Sequence, residues 1–161
     1  QIIQNLYAGV GETNFYVGPE GHVSTTLSEY DIYLRAENEL SSLLQNSSNK
    51  IKNRSAAIGA YDKVTGDTIA DFSGPIPEDI NPTLINKANE IGGIGSNGLT
   101  ERNIVGRCAE FRSGNSLMNK GSLLENIGFT KAVRPKNPQE VVPTCNNCLE
   151  IFSHFFNNNN R

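Results

Sequence analysis

Four side chains concentrate the reactive chemistry of this sequence. Cys108-Ala109-Glu110 forms one motif and Pro143-Thr144-Cys145-Asn146-Asn147-Cys148 the other, and together they hold all three cysteines of the chain. An odd number cannot all pair internally, so a metal site or a redox pair explains them better than a disulfide framework. Zinc takes thiolates in a tetrahedral shell, and a C-x-x-C pair at a helix start points both sulfurs at one ion. The helix dipole there also favours thiolate over thiol. Cys108, at the start of a second helix, supplies a third ligand and leaves the fourth position to water. Three protein ligands plus water is the catalytic arrangement, whereas structural zinc usually takes four protein ligands. Glu110 follows a ligand by two residues, within reach of that water without binding the metal. It can take the water's proton and deliver it elsewhere, which is general acid–base work.

Other readings of these residues are weaker. A structural zinc site needs a fourth ligand, for which His154 is the candidate; otherwise His154 is a packing or surface residue among phenylalanines. A redox C-x-x-C belongs in a thioredoxin-like βαβ pattern, which does not surround this one. Glu110 as a plain solvated helix charge is at odds with its place in the ligand motif.

The elements that must position these residues follow from capping, periodicity and turn chemistry. Phe15 to Val17 reads as a short strand inside a turn-rich stretch, Gly9-Val10-Gly11 to Gly18-Pro19-Glu20-Gly21. A helix then starts after Thr26 or Ser28, with Leu27, Tyr30, Ile32, Leu34, Leu40, Leu43 and Leu44 as its apolar positions. Polar Gln45 to Asn53 reads as a linker. Ala56 to Tyr61 and Thr68 to Phe72 form a hairpin around Asp62 to Asp67. Asn81 caps a short helix over Pro82 to Ile91, ended by Gly92-Gly93. Glycine-rich Gly92 to Gly98 lacks the Lys-Ser/Thr of a phosphate-binding loop and reads as a mobile loop beside the site. A helix begins near Cys108, interrupted at Gly114 and resumed over Ser116 to Leu124. Lys131 to Arg134 is a strand, Pro135 to Pro138 a loop, and Leu149 to Phe156 a last apolar helix. Asn157 to Asn160 is a frayed tail. This order, hairpin, helix, helix, strand, helix, predicts an α/β layer architecture. Residues 1–53 are expected to form an N-terminal extension or linker with one helix, and 54–161 the functional domain.

A chain of 161 residues can bury a real core without disulfides. Its net charge of −3 argues against a broad electrostatic footprint for duplex nucleic acid. Locally, Arg102, Arg107, Arg112, Lys120, Lys131, Arg134 and Lys136 make the motif-bearing half more basic, either as a strip that tracks a strand or as ordinary surface charge. No apolar run approaches the roughly 18 residues of a membrane span, and no signal peptide is visible. A start at Gln1 rather than Met reads as a piece of a longer protein.

Together the two motifs resemble the cytidine deaminase-like superfamily, and within it the YwqJ-like deaminase group found as C-terminal domains of bacterial polymorphic toxins. The residues that carry the resemblance are Gly106-Arg107-Cys108-Ala109-Glu110 and Pro143-Thr144-Cys145-Asn146-Asn147-Cys148, and it spans Ser55 to about Phe156. It implies an α/β fold with a mixed sheet flanked by helices and the zinc site at two helix N-termini. It also implies a zinc-dependent nucleobase deaminase, with Cys108, Cys145 and Cys148 as ligands and Glu110 moving protons. The implied role is an antibacterial toxin domain, exported within a larger protein, acting in the target-cell cytoplasm and countered by a cognate immunity protein. Ala109, Asn103, Thr144 and Phe111 are the candidates for substrate contact. Phe129 and Phe152 can stack on a base, although core packing is the default for all three phenylalanines. Two departures bear on substrate. Cys108 replaces the His of most nucleic-acid deaminases, and Thr144 separates Pro143 from Cys145. Cytosine in nucleic acid is the expected target. A free nucleoside or nucleotide, adenine instead of cytosine, or a non-catalytic zinc-stabilised interaction module are the alternatives.

Overall fold

The computed structural model describes residues 13–17 and 23–159. The expected turns at Gly9 to Gly11 and Gly18 to Gly21 lie outside the described residues. Strand β1 (Thr13–Val17) pairs antiparallel with β2 (Val23–Leu27) in a separate two-stranded ribbon. Helix α1 (Glu29–Asn46) starts at a full capping box. The Ser28 hydroxyl accepts from the Asp31 N–H at 3.1 Å, and the Asp31 carboxylate reaches back to the Ser28 N–H at 3.4 Å.

The main sheet has five strands, ordered β4-β3-β6-β7 with β5 also pairing β3. Its members are β3 (Ala57–Asp62), β4 (Thr68–Phe72), β5 (Ile127–Phe129), β6 (Ala132–Arg134) and β7 (Asn137–Val142). Every described pairing is antiparallel, where a mixed sheet was expected. The connections explain this. β3–β4 and β6–β7 are hairpins, and β5 and β6 run in one direction along the same edge of β3. Thr130 joins those two short strands. Its N–H donates to the Gly59 carbonyl at 2.9 Å, and its Oγ1 accepts from the Gly59 N–H at 2.9 Å. A side chain thus completes the ladder where the backbone bends away.

β3 is the centre of the sheet and is buried along its whole length. Strand alternation sends Ala57, Gly59 and Tyr61 to one face and Ile58 and Ala60 to the other. α1 lies on the first face: the Tyr61 hydroxyl donates to the Glu29 carboxylate at 3.2 Å, and Tyr33 meets the Tyr61 ring edge-on. A Cβ at Gly59 would stand 2.5 Å from the Ala36 carbonyl oxygen. The stretch expected as an extension therefore contributes a packed helix, with Ile32 and Ala36 in the main core.

Helix α3 (Ala109–Asn119) covers the opposite face and is buried on nearly every side. It runs unbroken through Gly114, the expected interruption. Glycine is required there because the Phe152 ring rests on it, 2.9 Å from where a Cβ would be. Outside α3 lie α2 (Pro82–Asn89), α4 (Asn146–Ile151) and α5 (Ser153–Asn159). Asn81 caps α2 as expected, and the Asn115 side chain on α3 accepts from the Asn81 N–H at 2.8 Å. The last helix breaks in two at Phe152, and α5 carries on through Asn159, so the polar tail is helical at its start. Pro138, expected in a loop, lies in β7, which is exposed at the sheet edge where a missing N–H is tolerated. No described helix is long and apolar enough to cross a membrane.

Gly59→Ala is expected to destabilise the protein by about 2 kcal/mol, because the new methyl meets backbone that cannot rotate away. Urea denaturation would measure the loss, and an unchanged midpoint would mean that α1 is not fixed on β3.

Candidate metal centre and cavity

Two helix N-termini meet at one end of the sheet. Cys108 is the N-cap of α3 and Cys145 the N-cap of α4, both with extended backbone, and Cys148 lies in the first turn of α4. N-caps are normally filled by Ser, Thr, Asp or Asn, whose oxygens receive the free N–H groups. Here a cysteine holds each N-cap position without a side-chain capping bond. All three Sγ atoms lie within 4.8 Å of one another, with Cys108 and Cys145 3.3 Å apart. Sulfurs around one tetrahedral zinc ion stand about 3.8 Å apart, given Zn–S bonds of about 2.3 Å. The cluster therefore fits a metal ion of zinc's size and softness. Among the described residues no His or carboxylate joins it as a fourth ligand. His154 is occupied elsewhere: burial holds its pKa down, and its Nε2 lies 3.0 Å from the Ile127 carbonyl.

The sulfurs are electrostatically unequal. Cys145 is held well below the usual thiol range by hydrogen bonds from the other two thiols, against burial, with help from the N–H groups of Cys148 and Asn147. Cys108 is raised, chiefly through its bond to Cys145, and Cys148 is raised by both neighbours and by burial. One thiolate is favoured and two are resisted, a conflict that a cation removes.

Glu110 sits in the first turn of α3 and is 5 % exposed. Burial pushes its carboxyl up to about 7. Its own N–H opposes the rise, the negative charge on Cys145 adds to it, and the Thr144 hydroxyl opposes it. Thr144, a candidate for substrate contact, is thus a partner of the glutamate.

Cys108, Ala109, Glu110 and Cys145 line a cavity of about 370 Å³, within the usual range for small-molecule sites. Its walls come from the residues just before β3 and just after β4, the start of β6 and the end of β7. Asn103 lines it too. Phe111 does not: it is fully buried in the core, as are Phe129 and Phe152, whose rings meet edge-on at 4.9 Å. Of the expected basic strip, only Arg102 and Arg107 reach the cavity. Arg112 pairs with Asp71 and Arg134 with Glu140.

Asn147 and Arg54 are the residues that motif spacing leaves unmarked. Asn147 is 1 % exposed between the two cysteines of α4. Its Oδ1 accepts from the Leu99 N–H at 2.7 Å, and its Nδ2 donates to the carbonyls of Asn97 at 3.1 Å and Asn103 at 3.2 Å. The glycine-rich loop is therefore tied to α4, where a mobile loop was expected. Gly98 has φ +58°, and a Cβ there would collide with the Asn147 side chain. Arg54 enters from the end of the expected linker and lines the cavity.

No family model, curated protein or solved structure matches this chain.

Asn147→Ala is expected to cost about 2 kcal/mol, since it removes three hydrogen bonds between a buried amide and the loop, and to speed exchange of the Leu99 amide. Hydrogen-exchange mass spectrometry would show it. A second outcome follows from Glu110 in metal-free protein. Its carboxyl titrates near 4.5 unfolded and about 7 folded, so folding takes up a proton between these values. The stability tied to that proton is present below pH 4.5 and is lost as pH rises through 7. Glu110→Gln should therefore match wild type near pH 4 and exceed it by up to about 3 kcal/mol near pH 8. Chemical denaturation of chelator-treated protein at both pH values measures this, and equal stabilities at pH 8 would count against a buried carboxyl.

Proposed function

We propose that this protein is a zinc-dependent hydrolytic deaminase of a nucleobase, converting cytosine to uracil in nucleic acid. The observation that carries the reading is the buried Glu110 carboxyl on the wall of the same cavity as Cys108 and Cys145. A structural thiolate cluster has no use for a buried acid facing a cavity.

Cys108, Cys145 and Cys148 would hold the ion. When bound, zinc supplies the Lewis acidity that makes water a nucleophile near neutral pH. Glu110 takes a proton from the attacking water. It then delivers protons to the ring nitrogen and to the departing amine, so that cytosine and water give uracil and ammonia. A carboxyl can serve in both directions of that transfer. The Thr144 hydroxyl orients the carboxyl between the metal side and the base side. Ala109 and Asn103 contribute cavity wall, and the cavity accepts a single extruded or unpaired base.

The resemblance of the two motifs to the YwqJ-like group supports an antibacterial role. In that role the domain is exported within a larger toxin, acts in the target-cell cytoplasm, and is neutralised by a cognate immunity protein. A reducing cytoplasm keeps the three thiols available for metal.

Zinc-loaded protein incubated with single-stranded DNA, duplex DNA, RNA or free nucleotides is expected to yield a one-dalton gain in one base, read by mass spectrometry. Glu110→Gln should lower the rate by about 10²- to 10⁴-fold with zinc still at one per chain. Zinc bound by wild type with no gain on any substrate would favour a non-catalytic interaction module.

A further inference from the structure

Three guanidinium groups converge on one backbone turn at the wall of the cavity. Arg54 Nη1 donates to the Ser73 carbonyl at 2.9 Å, and Arg107 Nε donates to the Gly74 carbonyl at 3.2 Å. Arg112 Nε donates to the Phe72 carbonyl at 2.8 Å, and its Nη1 donates to the Pro75 carbonyl. The turn is bare so that they can gather. A Cβ at Gly74 would collide with the Arg54 guanidinium and stand 3.8 Å from the Arg112 Cζ.

The charge is not balanced. Arg112 has a carboxylate, Asp71, at 3.4 Å. Among the described residues Arg54 and Arg107 make no ion pair; each bonds a neutral carbonyl with one of its five N–H donors. Arg102 is exposed, makes no described bond, and lines the same cavity. Three unpaired guanidiniums thus border the cavity that Cys108 and Glu110 line. Arg54 and Arg107 bond the adjacent carbonyls of Ser73 and Gly74, and an anion beside them offsets their like charge. A single carboxylate satisfies one guanidinium fork. A phosphate monoester offers more terminal oxygens and more charge and accommodates several, while the successive diesters of a strand accommodate them one by one.

We infer that Arg54, Arg107 and Arg102 form a phosphate subsite, so that the substrate is a nucleotide held by its phosphate with the base turned toward Glu110. The phosphate is either the monoester of a free nucleotide or the diester of a strand; the guanidinium chemistry is shared. The inference rests on the deaminase reading for the identity of the base, and on the arginines alone for the phosphate.

Zinc-loaded Glu110→Gln protein, which binds without turnover, would be titrated calorimetrically with the four nucleoside monophosphates, the four nucleosides, inorganic phosphate and a short single-stranded DNA containing each base. A phosphate-bearing probe should bind at least about 10-fold tighter than its nucleoside. Arg54→Ala and Arg107→Ala, each in the Glu110→Gln background, should each remove about 10-fold of that preference and flatten its salt dependence. Arg102→Ala, free of backbone bonds, reports on the same subsite should Arg54→Ala fail to fold. Tighter binding of monophosphate than of DNA assigns the free nucleotide, and the reverse assigns the strand; both support the subsite. Nucleosides binding as well as nucleotides, arginine variants with unchanged preference, or no binding of any probe would overturn it. Arginine-dependent phosphate binding by a protein that deaminates nothing would keep the subsite and sink the deaminase.

Discussion

Three sulfurs held together without a covalent bond set the terms for the rest of this molecule. They come from two helix N-caps and the first turn of one helix. Helix N-termini carry partial positive charge and repel when aimed at each other, unless negative charge lies between them. The Cys145 thiolate supplies that charge, and the raised Cys108 and Cys148 show that further negative charge is resisted. A soft divalent cation resolves both problems at once. Each helix must then be held at its far end by something other than the sulfurs, and the core does this. Phe152 packs on Gly114, joining the α4–α5 break to the middle of α3.

The antiparallel sheet supplies the fixed frame. Because β3 is covered by α1 on one face and α3 on the other, the start of α3 is anchored through its own helix body to the centre of the sheet. The cavity opens where several strand ends lie side by side, which is where side chains and loop backbone project past the sheet. Glu110 is buried because α3 is buried, and its proton affinity is a consequence of the packing around it.

Local chemistry was legible in the sequence where one residue type has one structural use. Ser28, one of two candidate caps, marks the start of α1, Asn81-Pro82 the start of α2, and the cysteine spacing the cluster. Expectations failed where a tertiary neighbour decides. Gly114 looks like a helix break until Phe152 is placed on it. β6 falls within the strand expected over Lys131 to Arg134, but β5 is too short to carry a periodic signal, and Thr130 bonding to Gly59 shows the two as one bent edge. Phe111 stands beside Glu110 in the motif, yet a helix turns successive side chains about 100° apart, so the neighbour of a site residue faces the core. Arg54 has no distinctive spacing, and although Thr144 and Asn147 lie inside the second motif, their bonds to Glu110 and to the loop depend on partners distant in the chain.

Asn147 would make an ion held by the three sulfurs and the exposed loop two ends of one equilibrium. Its side chain fastens Asn97, Leu99 and Asn103 to the turn of α4 that bears Cys145 and Cys148. Whatever orders that turn also orders the loop, and coupling between two such sites is reciprocal. Metal affinity therefore contains the free energy of arranging the loop, and anything that grips the loop from outside tightens the grip on the metal. A protein that binds over residues 97–103 need not enter the cavity to change how firmly the ion is held.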